Sequence, residues 1–330
     1  MTRARTLLGL GLILFIALLI GQGWAAWVEL ARLAGLGVVL VVLFHGVPIL
    51  MDAAALRVLF KRGRGSLRDA LMARWAGESV SSLLPAGQIG GPLLMARELS
   101  RRGLPAAEAL AEVTVAMTLQ TLALLGFMLL GLLELAAHAA GGAQTAARGA
   151  SLLAGGVLAL VIVAFYGAQR RGLFRGTLRL VGRWLKPEDQ VRWAGQAEAV
   201  DLEVHRTYER GPVLGASLVL SLLGWVTGAG EVYLALRFLG HPVGWGDALL
   251  IESLGQTIRS AAFAVPGALG VQDGGYVLLA SLVGLPASTG LALALAKRAR
   301  ELILGAPGLW YLHLAERRRG TAPGANSIAP

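Results

Sequence analysis

Residues 85–92 read Pro-Ala-Gly-Gln-Ile-Gly-Gly-Pro, and residues 266–273, which begin 181 positions later, read Pro-Gly-Ala-Leu-Gly-Val-Gln-Asp. Twenty positions after each opening proline stands Pro105 or Pro286, each within Gly-Leu-Pro-Ala and each followed by a long apolar run. The shared interval and flanks indicate an internal repeat, with halves at about residues 66–133 and 246–314. Apolar segments broken by glycine and proline at corresponding positions of two halves are typical of transporter substrate sites.

The composition indicates a polytopic membrane protein. Of the 330 residues, 55% are hydrophobic and 15% are charged, and the mean hydropathy is +0.64. Several uncharged runs approach the roughly 20 residues that cross a hydrocarbon core. The net charge of +10 lies mainly in loops between these runs, as the positive-inside rule expects, so we expect no nucleic-acid partner.

The chain offers few groups for catalysis or metal binding. It has no cysteine, which excludes disulfides and thiol chemistry, and its five histidines show no metal-ligand spacing. We therefore expect no cofactor, no metal site and no catalytic residue.

The positions of the basic residues predict how the chain crosses the membrane. Basic clusters at residues 57–68 and 97–102 both belong in the cytoplasm, so the chain between them must enter the membrane and return, with a break near Pro85. Between Gly240 and Thr289 the only lysine or arginine is Arg259. A second broken hairpin, formed by residues 247–265 and 271–283, is expected there from the opposite side. Full spans are expected at residues 7–20, 35–59, 105–133, 150–167, 212–236 and 288–314.

This arrangement predicts an all-α polytopic membrane protein with six full spans and two re-entrant hairpins in an inverted repeat. Two breaks that meet near the midplane would form a polar site reachable from alternate sides. An alternative in which the hairpin arms are full spans, giving eight or more crossings, remains open. The transmembrane domain is expected over residues 1–317, and residues 318–330 as a disordered cytoplasmic tail.

Charged residues inside apolar segments are the main candidates for a substrate site, because each costs about 2.5–3.5 kcal/mol at the centre of a membrane helix. The last span contains three cations and one carboxylate near its middle. Either this group only holds helices together, or its excess positive charge attracts an anionic head group or the carboxylates of a facing hairpin. The expected substrate-binding and translocation residues are Glu78, Pro85, Gln88, Gly90, Glu252, Arg259, Pro266, Gly267, Gly270, Asp273, Lys297, Arg298, Arg300 and Glu301.

Four other acids remain ambiguous. Glu108 and Glu112 lie near the start of a span, where the helix dipole favours carboxylates. Asp52 and Glu231 are isolated within apolar runs and are either proton sites or hydrogen-bonded core acids. The sequence does not decide between these interpretations.

The motifs also resemble a known family. Residues 265–275, followed by Lys-Arg-Ala-Arg-Glu at residues 297–301, resemble the flippase-like integral membrane proteins, which are related to the transmembrane region of lysylphosphatidylglycerol synthase/flippase proteins. Residues 84–91 are similar in particular to the branch associated with hopanoid biosynthesis. The resemblance extends over about residues 5–315. We expect no soluble aminoacyl-transferring domain, since the chain ends soon after the last span.

The resemblance implies a lipid transporter of the bacterial inner membrane with both termini in the cytoplasm. Its substrate would be a hopanoid or an anionic or aminoacylated phospholipid, and lipid-biosynthesis enzymes are candidate partners. One alternative is an intramembrane enzyme that acts on a lipid or polyprenyl head group, with Glu78, Glu108, Glu112 or Asp273 as acid or base. Another is a non-catalytic scaffold for hopanoid biosynthesis. Since no nucleophile, metal site or cofactor loop is recognisable, we do not expect an enzyme.

Overall fold

The protein is helical throughout the described parts of the chain. The computed structural model describes residues 35–84, 87–138, 163–176, 187–262 and 270–320, with the single residues 156, 160 and 268, and these contain no strand. Residues 163–170 and 173–176 are helical. The other helices are α1 Gly37–Phe44, α2 Gly46–Leu59, α3 Leu67–Leu83, α4 Gly87–Arg101, α5 Ala106–His138, α6 Pro187–Tyr208, α7 Gly211–Phe238, α8 Trp245–Ala261, α9 Val271–Leu282 and α10 Ala287–Gly320.

Within the described ranges, three segments are long and apolar enough to cross a membrane: α1 with α2, α5, and α7. They coincide with the spans predicted near residues 35–59, 105–133 and 212–236. The all-α polytopic membrane fold is confirmed. The span predicted at residues 7–20, most of that at 150–167, and residues 321–330 lie outside the described residues.

Three element boundaries differ from the prediction. The span at residues 35–59 is interrupted at His45, because Pro48 has no N–H to donate to the carbonyl of Phe44. Helix α5 continues five residues beyond the expected end at residue 133, through a Glu-Leu-Ala-Ala sequence of strong helix formers. Helix α10 continues through Gly320, so residues 318–320 of the expected disordered tail are helical.

The repeated Gly-Leu-Pro sequence has the same structural role in both halves. Gly103 and Gly284 adopt left-handed backbone angles, with φ of 101° and 77°, just after α4 and α9 end. The next residue reaches back in each case, with Leu104 N–H donating to the Leu99 carbonyl at 3.2 Å and Leu285 N–H to the Ala280 carbonyl at 2.9 Å. This is the helix stop that glycine favours, and the proline that follows starts the next long helix.

The first hairpin consists of α3 and α4, which pack closely. A Cβ added to Gly91 would lie 2.7 Å from the Gly77 carbonyl oxygen, so the two backbones approach at a distance that only glycine allows. At the open end, Arg102 Nη1 lies 3.0 Å from Asp69 Oδ1. The start of α3 and the end of α4 are therefore adjacent, as the predicted enter-and-return hairpin requires.

Each of the two hairpins packs against long helices of both halves. Hairpin α3–α4 packs with α4 against α5 of its own half and with α3 against α10 of the other half. Hairpin α8–α9 packs with α9 against α10 and with α8 against α5. Helices α2 and α7, which precede the hairpins, pack against each other. This reciprocal arrangement encloses a polar region between the halves.

Candidate functional site: a charged cavity between the two halves

A cavity of about 280 Å³ lies where the two hairpins meet helices α2, α5, α7 and α10. Both hairpins contribute to its wall. The charged side chains that line it are His45, Asp52, Arg74, Glu78, Glu231, Glu252, Arg259, Arg300 and Glu301, together with the amides Gln120 and Gln256. Such a polar cavity inside an apolar helix bundle is where a membrane protein can hold a charged or strongly polar group.

His45, at the interruption between α1 and α2, connects two acids from different helices. Its Nδ1 lies 2.9 Å from Glu231 Oε2 of α7, and its Nε2 lies 3.0 Å from Glu78 Oε1 of α3. Arg300 Nη1 lies 2.6 Å from His45 Nδ1, to which it can donate when that nitrogen carries no proton, and 3.1 Å from Glu231 Oε2. His45 keeps helical backbone angles, with φ of −59° and ψ of −19°, and its imidazole forms part of the cavity wall.

Lys297 is buried between two carboxylates. Its Nζ lies 2.7 Å from Glu252 Oε2 of α8 and 3.5 Å from Glu231 Oε1 of α7. The ammonium also lies 5.7 Å from the centre of the Tyr276 ring, within range of a cation–π interaction. Lys297 therefore joins α10 to both α7 and the second hairpin.

Arg298 and Glu301 connect α10 to the second hairpin by a separate chain of ion pairs. Glu301 pairs with Arg259 of α8 and, at 3.1 Å, with Arg298. Arg298 also lies 3.4 Å from Asp273 of α9. The other oxygen of Asp273 accepts the N–H of Gly270 at 3.1 Å and so caps the start of α9.

A smaller network lies on the opposite wall. Asp52 Oδ2 of α2 accepts a hydrogen bond at 2.7 Å from Arg74 of α3 and another at 2.7 Å from Gln120 of α5. Gly224 of α7 faces this carboxylate, because a Cβ there would lie 2.9 Å from Asp52 Oδ1. Asp52 thus ties its own helix to the first hairpin and to a long span.

The charges of the cluster nearly balance. Its described cations are Arg74, Arg259, Lys297, Arg298 and Arg300, and its described carboxylates are Asp52, Glu78, Glu231, Glu252, Asp273 and Glu301. With a neutral His45, five cations face six carboxylates. The excess positive charge of the last span is therefore balanced by acids of the surrounding helices, among them Glu252 and Asp273 of the facing hairpin, which was one of the alternatives expected. Among the described residues, no group of three or more histidine and carboxylate side chains is arranged to hold a metal ion.

The sequence comparison places the protein in a family. Residues 5–308 match the family model described as the lysylphosphatidylglycerol synthase TM region. The chain belongs to this family. No curated protein and no solved structure matches the chain. The family match covers both hairpins and every residue that lines the cavity.

Most of the residues expected at the site lie in or beside the cavity. Glu78, Glu252, Arg259, Arg300 and Glu301 line it, and the other three charged residues of the expected set, Asp273, Lys297 and Arg298, form ion pairs with this group.

The residues expected around the two breaks are placed differently. Pro85, Pro266 and Gly267 lie outside the described residues, and Gln88 lies in the first turn of α4, with its side chain outside the description. Gly90 faces α3 rather than the cavity, since a Cβ there would contact Val80 at 3.6 Å. Gly270 has a φ of 74° and starts α9.

The expected set omitted His45, Asp52, Arg74, Gln120 and Glu231, all of which line the cavity. The signal for three of them was present, since His45, Asp52 and Glu231 are single polar residues within long apolar runs. Glu108 and Glu112 are separate from the cavity. They lie near the start of α5, within 3.6 Å of Lys61 and 3.8 Å of Arg210, respectively.

Proposed function

We propose that this protein moves a membrane lipid between leaflets and that the cavity receives the lipid head group. The observation that supports this most directly is the cavity of about 280 Å³, lined by charged side chains from both hairpins inside an apolar bundle. A head group must leave water to cross a bilayer, and buried ion pairs and amides can replace its hydration. Membership of the family is consistent with this function.

The cavity wall favours a head group with hydrogen-bond donors over a simple anion. The described part of the wall contains five carboxylates and three guanidiniums, together with two glutamine side chains. Carboxylates accept hydrogen bonds from hydroxyl and ammonium groups and repel phosphate. We therefore propose a hydroxylated or aminoacylated lipid. The resemblance to the hopanoid-associated branch supports a hydroxylated hopanoid as the first lipid to test.

The membrane placement that accompanies this proposal is the bacterial inner membrane, with both termini in the cytoplasm. The basic residues at 57–68, 97–102 and 317–319 support it. The hairpins then belong to halves of opposite orientation, which gives the cavity access from alternate sides.

The test is lipid exchange in vesicles that contain the purified protein. We expect faster transfer between leaflets than in empty vesicles for a hydroxylated hopanoid or an aminoacylated phosphatidylglycerol, and little acceleration for phosphatidylglycerol itself. Lipid recovered afterwards is analysed by mass spectrometry. No acceleration for any of these lipids would contradict transport, and a covalently altered lipid would indicate an enzyme instead.

A pair of α5 variants tests whether the cavity is the route. Thr121 lines the cavity, whereas Leu133 on the same helix is exposed on the outside of the bundle. Thr121→Trp should stop the transfer because the indole fills the space for the head group, while Leu133→Trp should leave the transfer unchanged. Equal activity of the two variants would show that the lipid does not pass through this cavity.

A further inference from the structure

One carboxylate of the buried cluster has no cation of its own. Among the described residues, five of its six acids each lie within 3.4 Å of a lysine or arginine nitrogen. The pairs are Asp52 with Arg74, Glu231 with Arg300, Glu252 with Lys297, Asp273 with Arg298, and Glu301 with Arg259. The sixth acid is Glu78, whose contact is with the imidazole of His45 at 3.0 Å. The unmatched negative charge of the cluster therefore belongs to Glu78.

The contact with His45 does not supply the missing positive charge. Arg300 Nη1 lies 2.6 Å from His45 Nδ1 and can donate to it. The other ring nitrogen, Nε2, then carries the hydrogen and donates to Glu78 Oε1 at 3.0 Å. The ring is satisfied as a neutral imidazole. Glu78 therefore receives a hydrogen bond from His45 but no counter-charge.

The second oxygen of Glu78 has no donor within the described part of the chain. The hydroxyl of Ser82, one turn later on α3, donates to the Glu78 backbone carbonyl at 2.8 Å instead. The two amides of the cavity wall, Gln120 and Gln256, donate to other acids. Since an ionised carboxylate accepts several hydrogen bonds, Glu78 Oε2 has acceptor capacity left for a ligand.

Glu78 is also the most accessible acid of the cluster. Its side chain is 31% exposed and borders the cavity, whereas the side chains of the other five described acids are 15% exposed or less. Arg74 and Arg300 border the same space, but each is neutralised by its own acid. A charge without a partner is costly inside an apolar bundle. A cation that enters the cavity therefore meets one carboxylate that is both accessible and not neutralised.

We propose that Glu78 determines the specificity of the cavity and that its Oε2 binds the ammonium group of a lipid head group. An ammonium has three N–H donors and one positive charge, so it matches both the free oxygen and the unmatched charge. A hydroxyl group could donate to the oxygen but would leave the charge without a partner. A lipid with an amine in its head group therefore binds more tightly than the same lipid with a hydroxyl there. This inference rests on the proposed function, because it takes the ligand to be a lipid.

The test is a competition between two lipids that differ in one group. The chain is bound to an affinity resin in detergent and incubated with equal amounts of two hopanoid polyols, one with a terminal amine and one with a terminal hydroxyl. After washing, the bound lipids are extracted and quantified by mass spectrometry. We expect the native chain to retain the amine in about ten- to a hundredfold excess, the range for a hydrogen bond to a charged group. Equal retention of the two lipids by the native chain would overturn the proposal.

Variants of single acids show whether Glu78 causes the preference. Glu78→Gln keeps the size of the side chain and removes its charge, so the preference for the amine should disappear. Glu78→Asp keeps the charge and should keep a preference for the amine. Glu209→Gln is the matched control, since it removes an acid with a side chain that is 63% exposed just after α6, and it should behave as the native chain. A native preference in Glu78→Gln would show that the proposal is wrong.

A tethered cation tests the same site if Glu78→Gln does not fold. Ser81 lines the cavity three residues after Glu78, so the two side chains are neighbours on one face of α3. The ammonium of Ser81→Lys should occupy Glu78 and remove the preference for the amine. Ser81→Met has a side chain of similar length without the charge and should keep the preference. Equal preferences in these two variants would contradict the role of Glu78.

Binding and transfer together separate this proposal from the proposed function. Preferential binding of the amine without transfer of either hopanoid between leaflets would contradict lipid transport and leave the role of Glu78 intact. Transfer of both hopanoids with equal binding would contradict the role of Glu78 and leave lipid transport intact.

Discussion

Replacing Lys297 by methionine tests whether the buried cluster holds the two halves together. Lys297 lies 2.7 Å from Glu252 and 3.5 Å from Glu231, and its side chain is 4% exposed. Methionine keeps the apolar stem and removes the charge, so a buried carboxylate, that of Glu252, loses its ion pair. Breaking a buried pair in this way costs about 3–5 kcal/mol. We expect the free energy of unfolding to fall by that amount.

Lys61 is a matched control with nearly the same pairing and a different environment. Its Nζ lies 2.7 Å from Glu203 and 3.6 Å from Glu108, but its side chain is 39% exposed. After Lys61→Met both acids keep a cation, because Arg206 contacts Glu203 at 2.8 Å and Arg64 contacts Glu108 at 3.7 Å. Pairs of this exposed kind contribute about 0–1 kcal/mol. Only Lys297→Met leaves a buried carboxylate without its cation, so the difference between the variants measures the cost of that unpaired buried charge.

The assay is unfolding of the purified protein in mixed micelles titrated with sodium dodecyl sulfate and followed by tryptophan fluorescence. Glu252→Gln completes a double-mutant cycle, and its coupling with Lys297→Met should be about 0.5–3 kcal/mol. The double variant should be more stable than Lys297→Met alone, because no unpaired charge remains at position 252. The reasoning is refuted if Lys297→Met destabilises the protein no more than Lys61→Met does.

Two further predictions concern packing and topology. Gly290→Ala should destabilise the protein by about 1–3 kcal/mol, since its Cβ would lie 2.6 Å from the backbone of Tyr276 and Val277. Gly274→Ala in α9 meets no atom within 4 Å and should stabilise the protein by up to about 1 kcal/mol. Equal unfolding midpoints of the two variants in the same micelle assay would contradict the close approach of α9 and α10. Cysteines introduced by Arg62→Cys and Ser100→Cys should react with an impermeant maleimide from the same side of intact membranes. The reason is that Asp69 and Arg102 join the two ends of the first hairpin at 3.0 Å. Reaction from opposite sides would show that α3 and α4 cross the membrane separately.

Much of the fold follows from local chemistry that a sequence displays. Gly103 and Gly284 mark the two helix stops because a left-handed residue is needed there, and the prolines that follow mark the next helix starts. The interruption at His45 was not predicted, although Pro48 causes it, because a proline inside an apolar run does not reveal whether the helix bends, breaks or stays straight. The continuation of α5 to His138, by contrast, follows from the strong helix formers at residues 134–137, which the expected end at residue 133 did not take into account.

The site was only partly predictable, because sequence gives the depth of a charge in a span but not its neighbours. The cations near residue 298 were found from their depth. The carboxylates of the facing hairpin were among the expected partners. Glu231 was not, since it is 66 positions from Lys297 and meets it only through the packing of α7 and α10. Counting charges along one helix therefore gave an excess that the other helices remove. His45 is 255 positions from Arg300, and nothing local indicates that they are in contact.

The cations of α10 have a consequence for how the protein is made. Glu231 and Glu252 precede Lys297 and Arg300 in the chain and are therefore synthesised first. These two acids enter the membrane while the cations that neutralise them are still absent. Until α10 arrives, each uncompensated acid must stay protonated, remain at the interface or be held by the insertion machinery. The ion pairs of Glu231 and Glu252 with these cations can therefore form only after translation of the last helix.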